Sequence, residues 1–327
     1  EIQKILGVSR EKSKSIVDFT LKKLSGYITY SKEKAVYGDI MFDLKDIIND
    51  FGKITVDNVS NLPSQIHLMM TNHCNHSCIY CEKNAFYATE CDAQVLFDYL
   101  TPDVVNDVLR TCKENNAKPH FVLTGGEPLL SPYILTIVET IKKYGFETML
   151  VTKGISDFVK FEELCKCGVD IIRFSLDSCF EEKEDILAGK GTYAEIMNCL
   201  NIAKKYNSKI IINTVLMLEN YSEIEEMVKF CVDKGVKIVH FVVVRPQGRC
   251  HNDLALTQEQ MLICKNKTIE LQEKYRELIR IIFTCDYTNC TEDICKNCAK
   301  RFEVINVHKG GVITSCGQKM YLGSVME

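Results

Sequence analysis

Cys74-Asn75-His76-Ser77-Cys78-Ile79-Tyr80-Cys81 sets three thiols at three-then-two spacing directly after the apolar run from Gln65 to Thr71. Such a run reads as a buried strand, so the cysteines lie in a loop that leaves its carboxyl end. Thiolates are the usual protein ligands of a cubane iron-sulfur cluster, and three of them leave one of its four irons open to a non-protein ligand. A zinc knuckle also uses soft thiolates at short spacing, but it needs a fourth ligand, which His73, His76 or Cys91 could supply.

A second motif follows a second buried run. Phe121 to Thr124 reads as a strand and ends at once in Gly125-Gly126-Glu127-Pro128. Two glycines let a backbone approach a ligand, a carboxylate there can hold an ammonium, and Pro128 sets the exit into the next helix. Alone, this turn would also serve as an ordinary strand-to-helix connection.

Further runs at Thr148 to Thr152, Ile171 to Ser175, Ile210 to Leu216 and Ile238 to Val244 alternate with amphipathic stretches near 131–144, 157–166, 192–206 and 221–234. Runs without strict alternation suit parallel strands covered on both faces. Thr257 with Gln260 three residues on predicts a capping box for a last helix reaching about Leu278. Six β/α units result, an α/β architecture in which ligands gather at the carboxyl ends of the strands.

The two motifs together, with Tyr80 before the last cysteine, resemble those of the radical S-adenosylmethionine (radical SAM) enzymes over about 65–327. The resemblance implies a partial (β/α)6 TIM-like barrel over 63–280 and a 4Fe-4S cluster on Cys74, Cys78 and Cys81. In that family the methionine part of S-adenosylmethionine chelates the open iron, and reductive cleavage yields a 5′-deoxyadenosyl radical that abstracts hydrogen. It also implies Tyr80 near the adenine, and Gly125, Gly126, Glu127 and Pro128 near the methionine ammonium. Ser175 and Asp177 are then placed for ribose or carboxylate. Two departures stand out. The third strand ends Thr152-Lys153-Gly154 where Thr-Asn-Gly is common, and an arginine often found after the serine is replaced near Ala188. A carboxylate contact would then pass to Lys153, Lys183 or Lys190. Asn213 and Arg245, at the ends of the fifth and sixth strands, would face cofactor or substrate, or merely cap loops.

The tail, 281–327, is cysteine-rich. Phe302 to Val307, a glycine turn at Gly310-Gly311 and Val312 to Cys316 predict a β-hairpin. Cys295, Cys298 and Cys316 resemble the auxiliary-cluster region of SPASM and twitch subdomains, with Cys290 or Cys285 as fourth ligand of a second 4Fe-4S cluster; a zinc ribbon is the alternative. The SPASM pattern continues beyond this point, so the resemblance implies one twitch-type cluster or a missing C-terminal piece. Residues 1–62 differ again: Ser9 caps an expected helix to about Leu24, and a strand is expected over Gly26 to Tyr30. That order fits a winged-helix-like leader-peptide recognition element or a helical barrel cap.

With 327 residues, 46% of them hydrophobic, the chain can hold one large core or two domains. A formal charge of -4 gives no general pull toward nucleic acid, and no apolar run is long enough to span a membrane. Without a signal-peptide pattern, a cytoplasmic location is expected. The 17 cysteines are odd in number, so thiols and cluster ligands are expected over a complete disulfide framework. Cys112, Cys165, Cys167, Cys179, Cys199 and Cys231 sit in apolar surroundings and read as small core residues. The first residue, Glu1, implies residues missing from an end.

These features point to an enzyme that modifies a ribosomally synthesised peptide, by crosslink, thioether or epimerisation, with flavodoxin or ferredoxin as electron donor. The alternatives are a twitch-type small-molecule enzyme such as the molybdenum-cofactor cyclase, a dehydrogenase, a sulfatase maturase, and more distantly a redox-sensing DNA-binding regulator. In epimerising relatives a cysteine returns the hydrogen atom, a role open here to Cys91 or Cys250.

Overall fold

The computed structural model describes residues 29–31, 34–37, 40–43, 63–83, 86–87, 99–284, 304–315 and 321–324. Cys91, Cys285, Cys290, Cys295, Cys298, Cys316 and the helix expected from Ser9 lie outside them. The chain forms two compact units, Glu1–Leu62 with Glu327, and Pro63–Met326.

The first unit contains an antiparallel sheet of β1 (Thr29–Ser31), β2 (Lys34–Tyr37) and β3 (Ile40–Asp43), in that order. The second is built on β4 (Gln65–Met69), followed by the short pair β5 (His73–Cys74) and β6 (Phe86–Tyr87), then α1 (Pro102–Glu114) and β7 (His120–Thr124). Next come α2 (Ile134–Lys143), β8 (Thr148–Thr152), α3 (Phe158–Lys166), β9 (Ile171–Ser175), α4 (Glu181–Ala188) and α5 (Thr192–Ala203). β10 (Lys209–Leu216), α6 (Ile224–Asp233), β11 (Ile238–Val243), α7 (Gln258–Lys274) and β12 (Arg280–Thr284) follow. β13 (Val304–Val307), β14 (Val312–Ser315) and β15 (Tyr321–Ser324) end the unit.

The six expected strands form as parallel neighbours in chain order, β4-β7-β8-β9-β10-β11, within a sheet of order β12-β11-β10-β9-β8-β7-β4-β13-β14-β15. This is the α/β barrel-type arrangement expected. The tail hairpin also forms: β13 pairs antiparallel with β14 around a turn in which Gly311 takes φ +78. β13 then lies parallel to β4, and Asn306 comes level with His67. β12, which the composition change after Leu278 hides, extends the other edge beside β11.

Local chemistry explains the helix starts. Asp157 accepts from Lys160 N at 3.0 Å, and Thr257 and Gln260 complete the capping box. Pro102 occupies the first turn of α1, where a missing N–H costs nothing. The core lies between the sheet and the helices, with Ile66, Leu68, Phe121, Leu123, Leu150, Ile172, Phe174, Ile212, Val239 and Phe241 buried on that face.

The expectation of strands covered on both faces needs correction. Burial alternates along β4, β9 and β11, so the face away from the helices is only half-buried. An open barrel leaves its inner face lining a lumen, and its inward positions carry Gln65, His67, Arg173, Ser175 and His240. Cys112, Cys165, Cys199 and Cys231 are buried thiols as expected, whereas Cys167 and Cys179 are only half-buried. No described helix is long and apolar enough to cross a membrane.

Candidate active site

The three-cysteine loop leaves β4 at the carboxyl edge of the sheet and is tied down by backbone. Gly126 N donates to Thr71 O at 2.7 Å, and Glu127 N to His73 O at 2.8 Å. Ser77 N and Ile79 N donate to the carbonyls of Ala188 and Leu187, at 2.8 and 3.0 Å, which satisfies carbonyls at the end of α4. Arg249 N closes the far end on Cys81 O at 3.0 Å.

The glycines of the second motif serve this packing. A methyl on Gly126 would stand 1.9 Å from His73 O, and one on Gly125 2.5 Å from Thr71 O. The close approach expected toward a ligand is therefore made toward the backbone of the cysteine loop. Gly248 plays the same part at the other end, where a methyl would meet Cys81 O at 2.4 Å.

His76 is a post, not a spare ligand. It is 3% exposed, with Nε2 3.1 Å from Gly154 O and Nδ1 3.2 Å from Thr192 Oγ1. A carbonyl can only accept, so Nε2 carries the proton and Nδ1 accepts from the Thr192 hydroxyl. Burial pushes its pKa down to about 4, with the Lys153 charge acting in the same direction.

Cys78 is buried, and Cys74 and Cys81 are half-buried. Burial pushes the Cys74 thiol up to about 12 and Cys78 to about 11. A positively charged metal centre must supply what holds such thiols ionised. Among the described residues, no three His, Cys, Asp or Glu side chains converge on one ion-sized point. Three thiolates in one loop are the donor set of a cluster that keeps one iron open. His76 N also donates to Cys74 Sγ at 3.5 Å, a contact of the kind that tunes cluster potentials.

Glu127 is 2% exposed and its carboxylate is spent within the protein. Oε1 accepts from Leu129 N at 3.1 Å and Thr152 Oγ1 at 2.8 Å, and Oε2 from Lys153 N at 3.1 Å. Burial lifts it to about 7 against the pull of those donors. It bolts the β7 turn to the end of β8, with Pro128 opening a buried 3-10 turn.

Lys153, proposed from sequence as a carboxylate anchor, is already committed. Its ammonium donates to Asp177 Oδ2 at 2.6 Å, Glu184 Oε1 at 2.7 Å and Ser175 O at 3.1 Å, which uses all three of its protons. Burial opposes its charge, but Asp177 and Glu184 outweigh burial and raise its pKa. Tyr80 OH donates to Asp177 Oδ2, and Asp177 Oδ1 accepts from Val215 N at 2.8 Å. At 1% exposed, Asp177 orders the strand ends. Lys183 is paired with Glu223 and donates to Glu219 O. Glu184, which ties the N–H groups of Asp177 and Ser178 at 2.7 and 2.9 Å, carried no sequence signal beyond an acidic helix start.

Ser175 and Asn213 share a register row on the inner face and are half-buried. Arg245 pairs with Glu82 just past Cys81 at 2.7 Å. Cys250 is 4% exposed, packed with Leu187, Met217 and Val244, with Tyr80 against the same cluster.

Comparison with known proteins gives this geometry a family. The model of the Radical SAM superfamily matches residues 68–231. The probable GTP 3′,8-cyclase of Pyrococcus horikoshii is 27% identical over 176 residues, 54% of this chain and 54% of that protein. The GTP 3′,8-cyclase of Clostridium perfringens is 26% identical over 203 residues, 60% of each. The chain thus spans little more than half the length of the curated relatives it matches. Among solved structures, Streptococcus suis SuiB bound to precursor peptide SuiA superposes with TM-score 0.63 at 16% identity, covering 92% of this chain and 70% of that one. AnSMEcpe with bound AdoMet superposes with TM-score 0.61 at 18% identity, covering 80% and 75%. At these identities the structural likeness shows the fold. The family match spans the cysteine loop, the Gly125–Pro128 turn and the Lys153 network, and the chain belongs to the radical SAM superfamily of enzymes, which bind a 4Fe-4S cluster and S-adenosylmethionine.

Proposed function

We propose that this protein is a radical SAM maturase of a ribosomally synthesised peptide. The observation that carries the reading is the compact unit Glu1–Leu62, with its antiparallel β1-β2-β3 sheet, ahead of the barrel unit. SuiB, solved with a precursor peptide, covers 92% of this chain, more than the barrel unit alone supplies. AnSMEcpe, solved with peptides as well, covers about the share that the barrel unit makes up.

In this reading Cys74, Cys78 and Cys81 hold the cluster, which their loop is shaped and tied to present at the sheet's carboxyl edge. Bound there, S-adenosylmethionine would supply, on one-electron reduction, a 5′-deoxyadenosyl radical. Gly125, Gly126, Pro128, Thr152, Ser175 and Asn213 would line its place, and Tyr80 would lie toward the adenine. Lys153, Asp177, Glu127 and Glu184 act as positioning residues that fix the ends of β7, β8 and β9. Cys295, Cys298 and Cys316, with Cys285 or Cys290, would hold an auxiliary cluster suited to accept an electron from a substrate radical. A cytoplasmic flavodoxin or ferredoxin is the electron donor.

The relatives named GTP 3′,8-cyclase favour a second reading, a nucleotide substrate. Anaerobic, reduced enzyme given either a precursor peptide or GTP separates the two. Peptide-dependent 5′-deoxyadenosine with a mass change in the peptide supports the maturase; GTP-dependent formation with no response to peptide overturns it.

A further inference from the structure

The segment Arg245-Pro246-Gln247-Gly248-Arg249-Cys250 follows β11 and folds back onto the last turn of the cysteine loop. Gly248, at φ +64, lies so close that a methyl there would stand 2.4 Å from Cys81 O and 2.5 Å from Glu82 O. Arg249 N donates to Cys81 O at 3.0 Å, and Cys250 N to Gln247 O at 3.1 Å. Cys250 is then buried in the small apolar cluster against which Tyr80 packs. Across the 3.0 Å contact, bond geometry holds the Cα atoms of Arg249 and Cys81 within about 7 Å of each other. The position is fixed, yet the charge has no partner. Arg249 is half-buried, and its Nε is buried with no acceptor among the described residues. Other cations of this neighbourhood are engaged: Lys153 with Asp177 and Glu184, and Arg245 and Lys83 with Glu82 at 2.7 and 3.7 Å. A charged donor is costly to bury unsatisfied, so its place beside Cys81 calls for an anion that comes with the bound group.

We infer that Arg249 is the counter-charge of the cluster that Cys74, Cys78 and Cys81 would hold, and that it raises the reduction potential of that cluster. The inference rests on this cluster placement and goes beyond the proposed function, since it holds for a peptide or a nucleotide substrate. Three thiolates outweigh the positive charge of a 4Fe-4S core, so the centre is anionic and gains a further negative charge on accepting one electron. Net charge and hydrogen bonds to the sulfurs set the potential of such centres. A guanidinium keeps its proton at every working pH, and its charge stabilises the reduced state more than the oxidised one. Arg249 itself exchanges neither proton nor electron. His76 N already donates to Cys74 Sγ at the first ligand of the loop, and Arg249 adds a full charge at the last.

EPR-monitored redox titration of the anaerobically reconstituted full chain tests this, read on the 4Fe-4S signal that changes shape when S-adenosylmethionine is added. In Arg249→Gln the ratio of reduced to oxidised cluster at the parent's midpoint falls tenfold or more, a midpoint lower by about 59 mV for one electron, and Arg249→Lys recovers most of the loss. Equal midpoints in the parent and an iron-loaded Arg249→Gln overturn the inference. A variant that loses S-adenosylmethionine affinity at an unchanged midpoint overturns it as well, since the guanidinium then serves the cofactor's carboxylate. Should Arg249→Gln not load iron, Arg249→His decides. Its midpoint falls relative to the parent's as the pH rises through about 6.5, where an imidazole loses its charge, and a difference that does not vary with pH overturns the inference. A parent without any signal that responds to S-adenosylmethionine overturns the cluster placement itself, a failure told apart from the others because it needs no variant.

Discussion

Replacing Gly126 with alanine tests whether the Gly-Gly turn exists to seat the cysteine loop. The added methyl would lie 1.9 Å from His73 O and 2.6 Å from its carbonyl carbon, where ordinary contact begins at 3.4 Å. Both opposing atoms are backbone, so nothing can swing aside. The hydrogen bonds from Gly126 N to Thr71 O and from Glu127 N to His73 O, at 2.7 and 2.8 Å, cannot both survive that separation. Two lost backbone bonds at about 1 kcal/mol each, with about 1–3 kcal/mol of overpacking, give a loss of about 3–5 kcal/mol. For a unit of this size that lowers the melting temperature by about 6–10 °C. Gly145→Ala is the control: it also has positive φ, +76, but its methyl would meet nothing within 4 Å. It should cost about 1 kcal/mol from backbone strain alone. Circular-dichroism melting and iron per chain after anaerobic reconstitution are measured on both. The reasoning is refuted if Gly126→Ala melts within 2 °C of the parent with full iron content.

Lys153→Met leaves Asp177 and Glu184 buried without their cation, so urea unfolding should show a loss of about 3–5 kcal/mol. Stability should also fall between pH 7 and pH 5. His67, His76, His240 and His308 ionise near 4 in the folded chain against 6.5 in the unfolded one, so in that window the unfolded state binds more protons. Each contributes at most about 2 kcal/mol over those pH units. Glu127, raised from 4.5 to about 7, acts in the opposite sense, as do Glu184 and Glu195, which burial also raises, and the four rings outnumber these three carboxyls. Urea unfolding at the two pH values, with equal stability as the contrary result, checks the sign. Changing Cys74, Cys78 and Cys81 together to alanine should abolish 5′-deoxyadenosine formation. A reduced 4Fe-4S EPR signal surviving in that variant would establish the auxiliary cluster, and its complete loss from a folded chain would remove it.

The barrel order and the placing of both motifs at strand ends were legible because each depends on local pattern: apolar runs, capping pairs and glycine turns. What the pattern concealed was direction. Arg173, His67 and His240 interrupt strongly apolar runs at alternate positions, and that period of two was the available sign of a half-open face. β12 was hidden because Arg-Ile-Ile-Phe-Thr follows a long helix without a turn signal. Residue type also left burial out of view. Glu127, Lys153 and Asp177 look like ligand contacts because they are charged and sit at strand ends, yet a charge this deeply buried must first satisfy itself within the protein.

That burial explains how the site divides its work. A 4Fe-4S centre with three protein ligands keeps one iron open only if its loop cannot shift to offer another donor or admit water. Here Gly126, Glu127, Ser77, Ile79 and Arg249 each give or receive the loop through a backbone bond, and His76 props it from below. At about 1 kcal/mol apiece, opening the loop would cost several kcal/mol, so its open form is rare at equilibrium. The charged residues at the ends of β7, β8 and β9 extend the same frame to the cofactor's side. The half-buried inner face carries Ser175, Asn213 and His240 in one register row, with Arg173 in the next. Substitutions in the frame should therefore reduce iron content and stability together.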